Sequence, residues 1–213
     1  MKLYNQIELS SLLSKNPVIL ECGSNIGTDT LCMLKDYPNA QLHCFEPDPR
    51  NIITFKEATA EYNDRCTLHE IAIANEDGFI QFHQSYGRSP SKPQRDHVYS
   101  STIKDPKPQI KLHPWLKYKE PIQVKVMKFD TWLKTVNIPT IDFMWTDVEG
   151  AEEEVILGGT ELLKRLHYLY IEYNDFESYG GRITSTGILR LLPKYKLIKK
   201  WSCDMLLCNE QWQ

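Results

Sequence analysis

The chain reads as a doubly wound α/β domain, and three features of its 213 residues point that way. Short apolar runs alternate with segments of helical periodicity, the pattern of repeated βα units. The first run ends at a glycine turn and the second at an acid, as in sheets that bind a ligand at the carboxyl ends of their strands. The last two strand-like runs are separated by so few residues that they must pair antiparallel.

Taken in order, Pro17–Cys22 is a buried parallel strand, and a helix follows from about Thr28 to Lys35, stopped before Pro38. Gln41–Phe45 is the second strand, ending at Glu46; Pro47-Asp48-Pro49 opens a helix to about Ala60, with Pro49 suited to its first turn. Cys66–Ile73 alternates enough for a third strand, Asn75–Gly78 signals a turn, and Phe79–His83 reads as the returning arm of a hairpin. Ile122–Met127 is a strand, Asp130–Val136 a short helix, and Ile141–Thr146 a strand that meets Asp147. Ala151–Leu166 reads as one long helix and Tyr168–Glu172 as the next strand. Thr184 or Ser185 caps a helix ending near Pro193, and Lys196–Trp201 with Met205–Cys208 form the closing hairpin.

The length suits one domain over residues 1–213, and 41% hydrophobic residues supply a sizeable core. Between about residues 85 and 121 lies the least regular stretch, with six of the twelve prolines: Pro90, Pro93, Pro106, Pro108, Pro114 and Pro121. An irregular loop of that length in a compact domain is usually functional or disordered. A net charge of -3 argues against a dedicated nucleic-acid binder. No run approaches the length of a membrane span, and the N-terminal residues lack the pattern of a signal peptide. The six cysteines contain no C-x-x-C pair and read as reduced thiols of a cytoplasmic chain.

The chemistry is expected at the strand ends. Glu21-Cys22-Gly23-Ser24-Asn25-Ile26-Gly27-Thr28 is a nucleotide-binding type of turn, with free helix N–H groups behind it. It differs from the dinucleotide fingerprint: Asn25 stands at the second glycine position and Thr28 at the third. Glu46, 23 residues beyond Gly23, is placed to accept hydrogen bonds from ribose hydroxyls. Nicotinamide and adenosyl ligands both need such an acid. The third element is Phe143-Met144-Trp145-Thr146-Asp147-Val148-Glu149-Gly150-Ala151-Glu152, acids directly after an apolar strand.

Together these segments resemble the FkbM-type methyltransferase family. Leu20–Gly27, Cys44–Pro47, Ile71–Gly78 and Asp147–Glu152 carry the resemblance, with Val155–Gly159 and Ile171-Glu172 fitting as well. It spans about Val18 to Glu172, and the D-V-E-G-A-E run is its most specific part. The resemblance implies a class I (Rossmann-like) methyltransferase fold with a seven-stranded sheet, S-adenosyl-L-methionine as cofactor, and O-methylation of a saccharide (glycan) or other small-molecule hydroxyl. By position it places Gly23, Asn25 and Gly27 at the methionine portion, with Glu21, Ser24 and Thr28 in the same turn. Glu46 falls at the ribose and the segment around Ala72 at the adenine. Glu21, Ser24 and Thr146 depart from the common pattern, where aspartate, alanine and lysine are frequent.

Methyl transfer from a sulfonium is an in-line displacement that depends on alignment, and a sugar hydroxyl gains from a positioned base. Asp147 is the expected base, also bordering the cofactor, and Glu172 the second choice. Asp147, Glu172 and Asp175 leave room for a divalent cation, which no spacing rule demands and which is not predicted. The irregular insertion, with Tyr86, His97, Tyr99, His113, Trp115 and Tyr118, is the natural acceptor region; Arg88, Lys92 and Arg95 suit an anionic acceptor. Asn174–Arg182, with Gly180 and Gly181, is a second polar stretch able to close over a substrate. An NAD(P)-dependent oxidoreductase and a catalytically silent cofactor-binding module are the rival readings. The missing third glycine, the acidic run and the final hairpin weigh against the first.

Overall fold

The computed structural model describes residues 12–212. Its centre is a seven-stranded sheet. In chain order its strands are β1 (Val18–Cys22), β2 (Gln41–Phe45), β3 (Cys66–His69), β9 (Ile141–Thr146), β10 (Leu166–Glu172), β11 (Tyr195–Lys200) and β12 (Asp204–Asn209). Across the sheet they run β11-β12-β10-β9-β1-β2-β3. β12 pairs antiparallel with both β10 and β11, and the pairings among β10, β9, β1, β2 and β3 are parallel.

The continuous apolar runs of the central strands follow from burial on both faces. Successive side chains alternate, so Ile19, Phe143 and Trp145 join Met33, Leu34, Phe55 and Tyr170 on one face. Leu20 and Met144 join Phe129, Val155, Ile156 and Ile188 on the other. The covering helices include α1 (Thr28–Asp36), α2 (Pro49–Ala58), α5 (Glu152–Gly158), α6 (Thr160–Arg165) and α7 (Ser185–Leu191). Asp48 caps α2 by accepting from Arg50 N, with Pro49 at its first position, and Thr184 caps α7 through Gly187 N.

Three expectations are corrected. The Cys66–Ile73 run is two strands: β3 ends at His69, and β4 (Ala72–Ile73) leaves the main sheet to pair in parallel with β8 (Ile122–Met127). The hairpin from Asn75 does not form, because β5 (Gly78–Phe82) lies antiparallel on the other edge of β8. The Asn75–Gly78 turn carries the chain across β8 instead, and the Asp77 carboxylate accepts from Lys128 N (2.9 Å) and Thr131 Oγ1 (2.8 Å) at the start of α4 (Phe129–Trp132). The helix expected over Ala151–Leu166 breaks at Gly158-Gly159. A Cβ on Gly158 would stand 2.0 Å from the Ala74 carbonyl oxygen, so α5 can approach β4 only through a glycine. The chain then restarts as α6, capped by the Asp130 carboxylate on Glu161 N and Leu162 N.

The proline-rich insertion is more ordered than a loop. β6 (Ser85–Tyr86) and β7 (Lys117–Tyr118) form a small antiparallel ribbon, with α3 (Lys107–Leu112) between them. Residues 98–105 run as a strap over the carboxyl ends of β1, β2 and β9, and hydrogen bonds hold it on three sides. Asn25 Nδ2 donates to Val98 O (3.2 Å), Ser101 Oγ to Asp48 Oδ2 (3.3 Å) and Thr102 Oγ1 to Glu149 O (2.7 Å). Lys104 pairs with Glu154 at 2.6 Å, and Gly180 N donates to Asp105 O (2.9 Å).

Candidate active site

An open cleft of about 970 Å³, counting its solvent mouth, lies under this strap where strand order reverses between β1, β2 and β9. Eight of the nine expected cofactor residues line it: Glu21, Gly23, Ser24, Asn25, Thr28, Glu46, Ala72 and Asp147. Gly27 is set back. It is the N-terminal cap of α1, at φ +80°, and packs toward the Phe55 ring. Glu172 does not line the cleft either; its carboxylate pairs with Arg182 at 2.5 Å.

The turn after β1 is shaped by what it touches. Gly23 sits at φ +89°, and a Cβ there would stand 1.8 Å from the Asp147 carbonyl oxygen. The glycine thus lets the first turn and the Asp147 loop meet. Ser24 Oγ donates to Glu21 O (3.0 Å) and bends the turn back on itself. The Glu21 carboxyl is engaged beneath the turn by Thr30 Oγ1 and Cys44 Sγ, and burial pushes it up to about 8. Among the described residues no side chain caps the N-terminus of α1, and Thr28 at its start lines the cleft.

Glu46 accepts from Asn25 N on one oxygen and from Asp48 N on the other, both at 2.8 Å. Burial pushes it up to about 7, and those two backbone donors, with the Asn51 side chain, hold it from rising further. Beside it Asn51, which residue spacing did not single out, is buried on the cleft wall; its amide leans toward the Glu46 carboxylate, and Nδ2 completes no hydrogen bond of full geometry among the described residues. Its one signal in the sequence is its place in the first turn of a helix that starts just after Glu46. Ile71, Ile73 and Phe82 join Ala72 as the apolar wall.

At the opposite end five carboxyl groups gather: Asp147, Glu149, Glu152, Glu172 and Asp204. Arg182, from the loop after β10, reaches into them. Its side chain is 1% exposed and pairs with Glu152 (3.3 Å) and Glu172 (2.5 Å). Burial, then the charges of Glu172, Glu149, Glu152 and Asp204, hold the Asp147 carboxyl well above the usual range. Its Oδ1 is buried with no hydrogen-bond partner among the described residues. Burial pushes Glu149 up to about 8, and Tyr179 OH donates to it at 2.6 Å. Thr146, at the position where lysine is common, is fully buried and its hydroxyl also lacks a partner there.

The insertion brings Tyr99, Ser101, Thr102 and Ile103 to the cleft wall. His97 accompanies Tyr99 and Trp115, with ring centroids at 5.5 and 5.0 Å, and His113 lies against Trp115 at 5.8 Å. Arg88, Lys92 and Arg95 do not line the cleft. Asp175 turns away to Ser185 N (2.9 Å) and Lys200 (3.6 Å), so Asp147, Glu172 and Asp175 do not converge. Among the described residues no group of three or more His, Cys, Asp or Glu side chains is placed to hold a metal ion. No disulfide joins any of the six cysteines, and no described helix is long and apolar enough to cross a membrane.

A sheet with this strand order and its cleft at the β1 reversal has the architecture of a class I methyltransferase. A solved structure from Clostridium thermocellum assigned as an rRNA methylase superposes with a TM-score of 0.52 at 9% identity, over 96% of this chain and 90% of that one. Residues 21–199 match the model of the methyltransferase FkbM domain. The 2-O-methyltransferase NoeI of Sinorhizobium fredii is 38% identical over 98% of this chain and 86% of that protein. Methyltransferase 1 of Beauveria bassiana is 29% identical over 66% of this chain and 57% of that protein. The chain belongs to the FkbM methyltransferase family and is an S-adenosylmethionine-dependent O-methyltransferase. The oxidoreductase and silent-module readings give way to it.

Proposed function

We propose that the protein methylates a ring hydroxyl of a saccharide acceptor, holding S-adenosylmethionine in the cleft under the strap. The observation that carries the cofactor assignment is the pairing of Glu46 with Asn51. A carboxylate oriented by two backbone N–H groups stands beside a buried amide that leans toward it without completing a hydrogen bond of full geometry, and the two match the acceptor and donor needs of ribose hydroxyls. The uncapped N-terminus of α1 suits the methionine carboxylate, and the Ala72 wall suits an adenine face. When bound, the cofactor supplies an electrophilic methyl group on a sulfonium. The chain's own groups align the acceptor, exclude water and accept its proton on a carboxylate of the Asp147–Gly150 loop.

The saccharide assignment draws on the 2-O- position in the name of the NoeI relative, a numbered oxygen of the kind a sugar ring offers. Tyr99 and the nearby rings of His97 and Trp115 offer apolar faces of the kind sugar rings stack on. The test is calorimetric titration with S-adenosylhomocysteine, for wild type and Glu46→Ala, followed by transfer from labelled cofactor to a panel of methyl hexosides. Micromolar binding weakened by Glu46→Ala, with label on a hexoside, is expected. Binding without transfer to any sugar, but with transfer to a phenolic or lipid hydroxyl, would overturn the saccharide part.

A further inference from the structure

Among the described residues two non-glycine positions have positive φ, Asn25 at 49° and Glu149 at 53°, and both line the same cleft. Such a backbone is strained for a residue with a side chain and persists where surrounding contacts impose it. At Glu149 those contacts are explicit. Thr102 Oγ1 holds its carbonyl from the strap. Gly150 turns at φ +101°, and a Cβ there would stand 2.8 Å from Tyr179 Cβ. The strained backbone leaves the side chain with Tyr179 OH on one oxygen.

Asp147 is the opposite case. It lies among Glu149, Glu152, Glu172 and Asp204, while Arg182, the cation that reaches the group, is paired with Glu152 and Glu172. One Asp147 oxygen is buried with no donor. An anion there would have one oxygen buried with no donor and like charges around it. Glu149 has a donor that favours the anion; Asp147 does not.

We propose that Glu149 is the carboxylate that faces the reacting end of the cleft and takes the acceptor's proton, with Tyr179 as its positioning residue and Asp147 kept as the neutral acid beside it. This rests on the cofactor assignment above. The acceptor oxygen gains the methyl group, the sulfur keeps the electron pair of the broken C–S bond, and the hydroxyl proton passes to Glu149. Positive charge on sulfur and negative charge on Glu149 vanish together. The groups facing Glu149 are Asp147 on its own loop, Glu152 on α5, Glu172 on β10, Tyr179 and Arg182 on the loop after β10, and Tyr118 on β7 behind Tyr179.

The test needs no acceptor. The affinity ratio of S-adenosylmethionine to S-adenosylhomocysteine, read by calorimetry from pH 6 to 9.5, reports the charge facing the sulfonium, because the two ligands differ chiefly there. For wild type the ratio rises about tenfold as Glu149 ionises. Glu149→Gln makes it flat, Asp147→Asn keeps the rise, and Tyr179→Phe moves the rise to higher pH by removing the bond that favours the anion. A merely structural Tyr179 would leave that midpoint in place. If Asp147→Asn flattens the ratio while Glu149→Gln preserves it, Asp147 is the ionising acid and the proposal is overturned. A flat wild-type ratio with intact S-adenosylhomocysteine binding overturns it too. Failure of wild type to bind either ligand strikes the cofactor assignment itself.

Discussion

The two ends of the cleft hold acids in different ways. At the Glu46 end one carboxylate is held by backbone N–H groups of Asn25 and Asp48, contributed by the turns after β1 and β2. At the Asp147 end five carboxyl groups from the β9 loop, α5, β10 and β12 face one arginine from the loop after β10. The first arrangement needs two adjacent strand ends in parallel register. The second exists only when most of the sheet and one long connection are in place. A single buried acid can therefore be secured by local turn geometry, whereas a cluster of acids around one arginine has to be assembled by the tertiary fold.

Breaking the assembled end should have the largest effect. Arg182→Met leaves Glu152 and Glu172 without their cation in a buried setting, and loss of one partner of a buried pair costs about 3–5 kcal/mol. Urea unfolding at pH 7.5 should show that loss, and adding Glu152→Gln should restore part of it. No restoration would mean that Arg182 acts through packing on Tyr179 rather than through charge.

At the Glu46 end the expected change is in binding. Glu46→Gln replaces a charged acceptor with a neutral one, which lowers S-adenosylhomocysteine affinity about tenfold to a hundredfold. Calorimetry on Glu46→Gln and Asp147→Asn in parallel sharpens the comparison, since the second substitution should weaken binding less. Equal losses would mean that the two ends are not separate in function.

The same division governs what the residues alone reveal. Gly23, Glu46 and the acids after β9 are legible because a strand end, a turn and an acid at fixed spacing describe one local geometry. Ile71-Ala72-Ile73-Ala74 continues the apolar pattern of Cys66–His69 without a turn residue, so nothing in it announces the move to β8. Gly158, where the helix breaks, has to be a glycine because of Ala74, a residue distant in the chain, just past β4. Arg182, in a polar stretch with two glycines, looks like a solvent-exposed residue and is buried among carboxylates. Glu149 and Glu152 are alike in a linear reading as helix-start acids. Only backbone conformation separates a strained, cleft-facing side chain from an arginine partner.

A pH series tests the two ends together with a moderate expected effect. Burial raises Glu149 and Glu21 to about 8, and Glu152 and Glu46 to about 7, above the ordinary carboxylate value of 4.5. A raised folded-state value means that the unfolded chain gives up these protons first. The stabilisation is complete below about pH 4.5 and is lost as pH rises through 7 to 8. The melting temperature should therefore fall from pH 5 to pH 8.5, apart from any acid-limb loss below that range. Glu149→Gln should flatten the fall up to about pH 8, and Glu46→Gln only up to about pH 7. A melting temperature that climbs over this interval would show that the carboxyl groups are ionised and compensated.

The smallest effect is expected where the strap meets the Asp147 end. Thr102 Oγ1 donates to the Glu149 carbonyl at 2.7 Å and accepts from Lys104 N at 3.0 Å. Thr102→Val keeps the shape and removes both bonds, at a cost of about 1 kcal/mol. Strap residues 101–104 should then exchange amide hydrogens faster, while β2, beneath Glu46, keeps its protection. The strap remains tied to Asn25 and Asp48 at its other side, so S-adenosylhomocysteine affinity should change less than twofold, about 0.4 kcal/mol by the same conversion. Faster exchange across β2 as well would mean that the two ends unfold as one unit, and that their contrast is one of chemistry without a matching difference in stability.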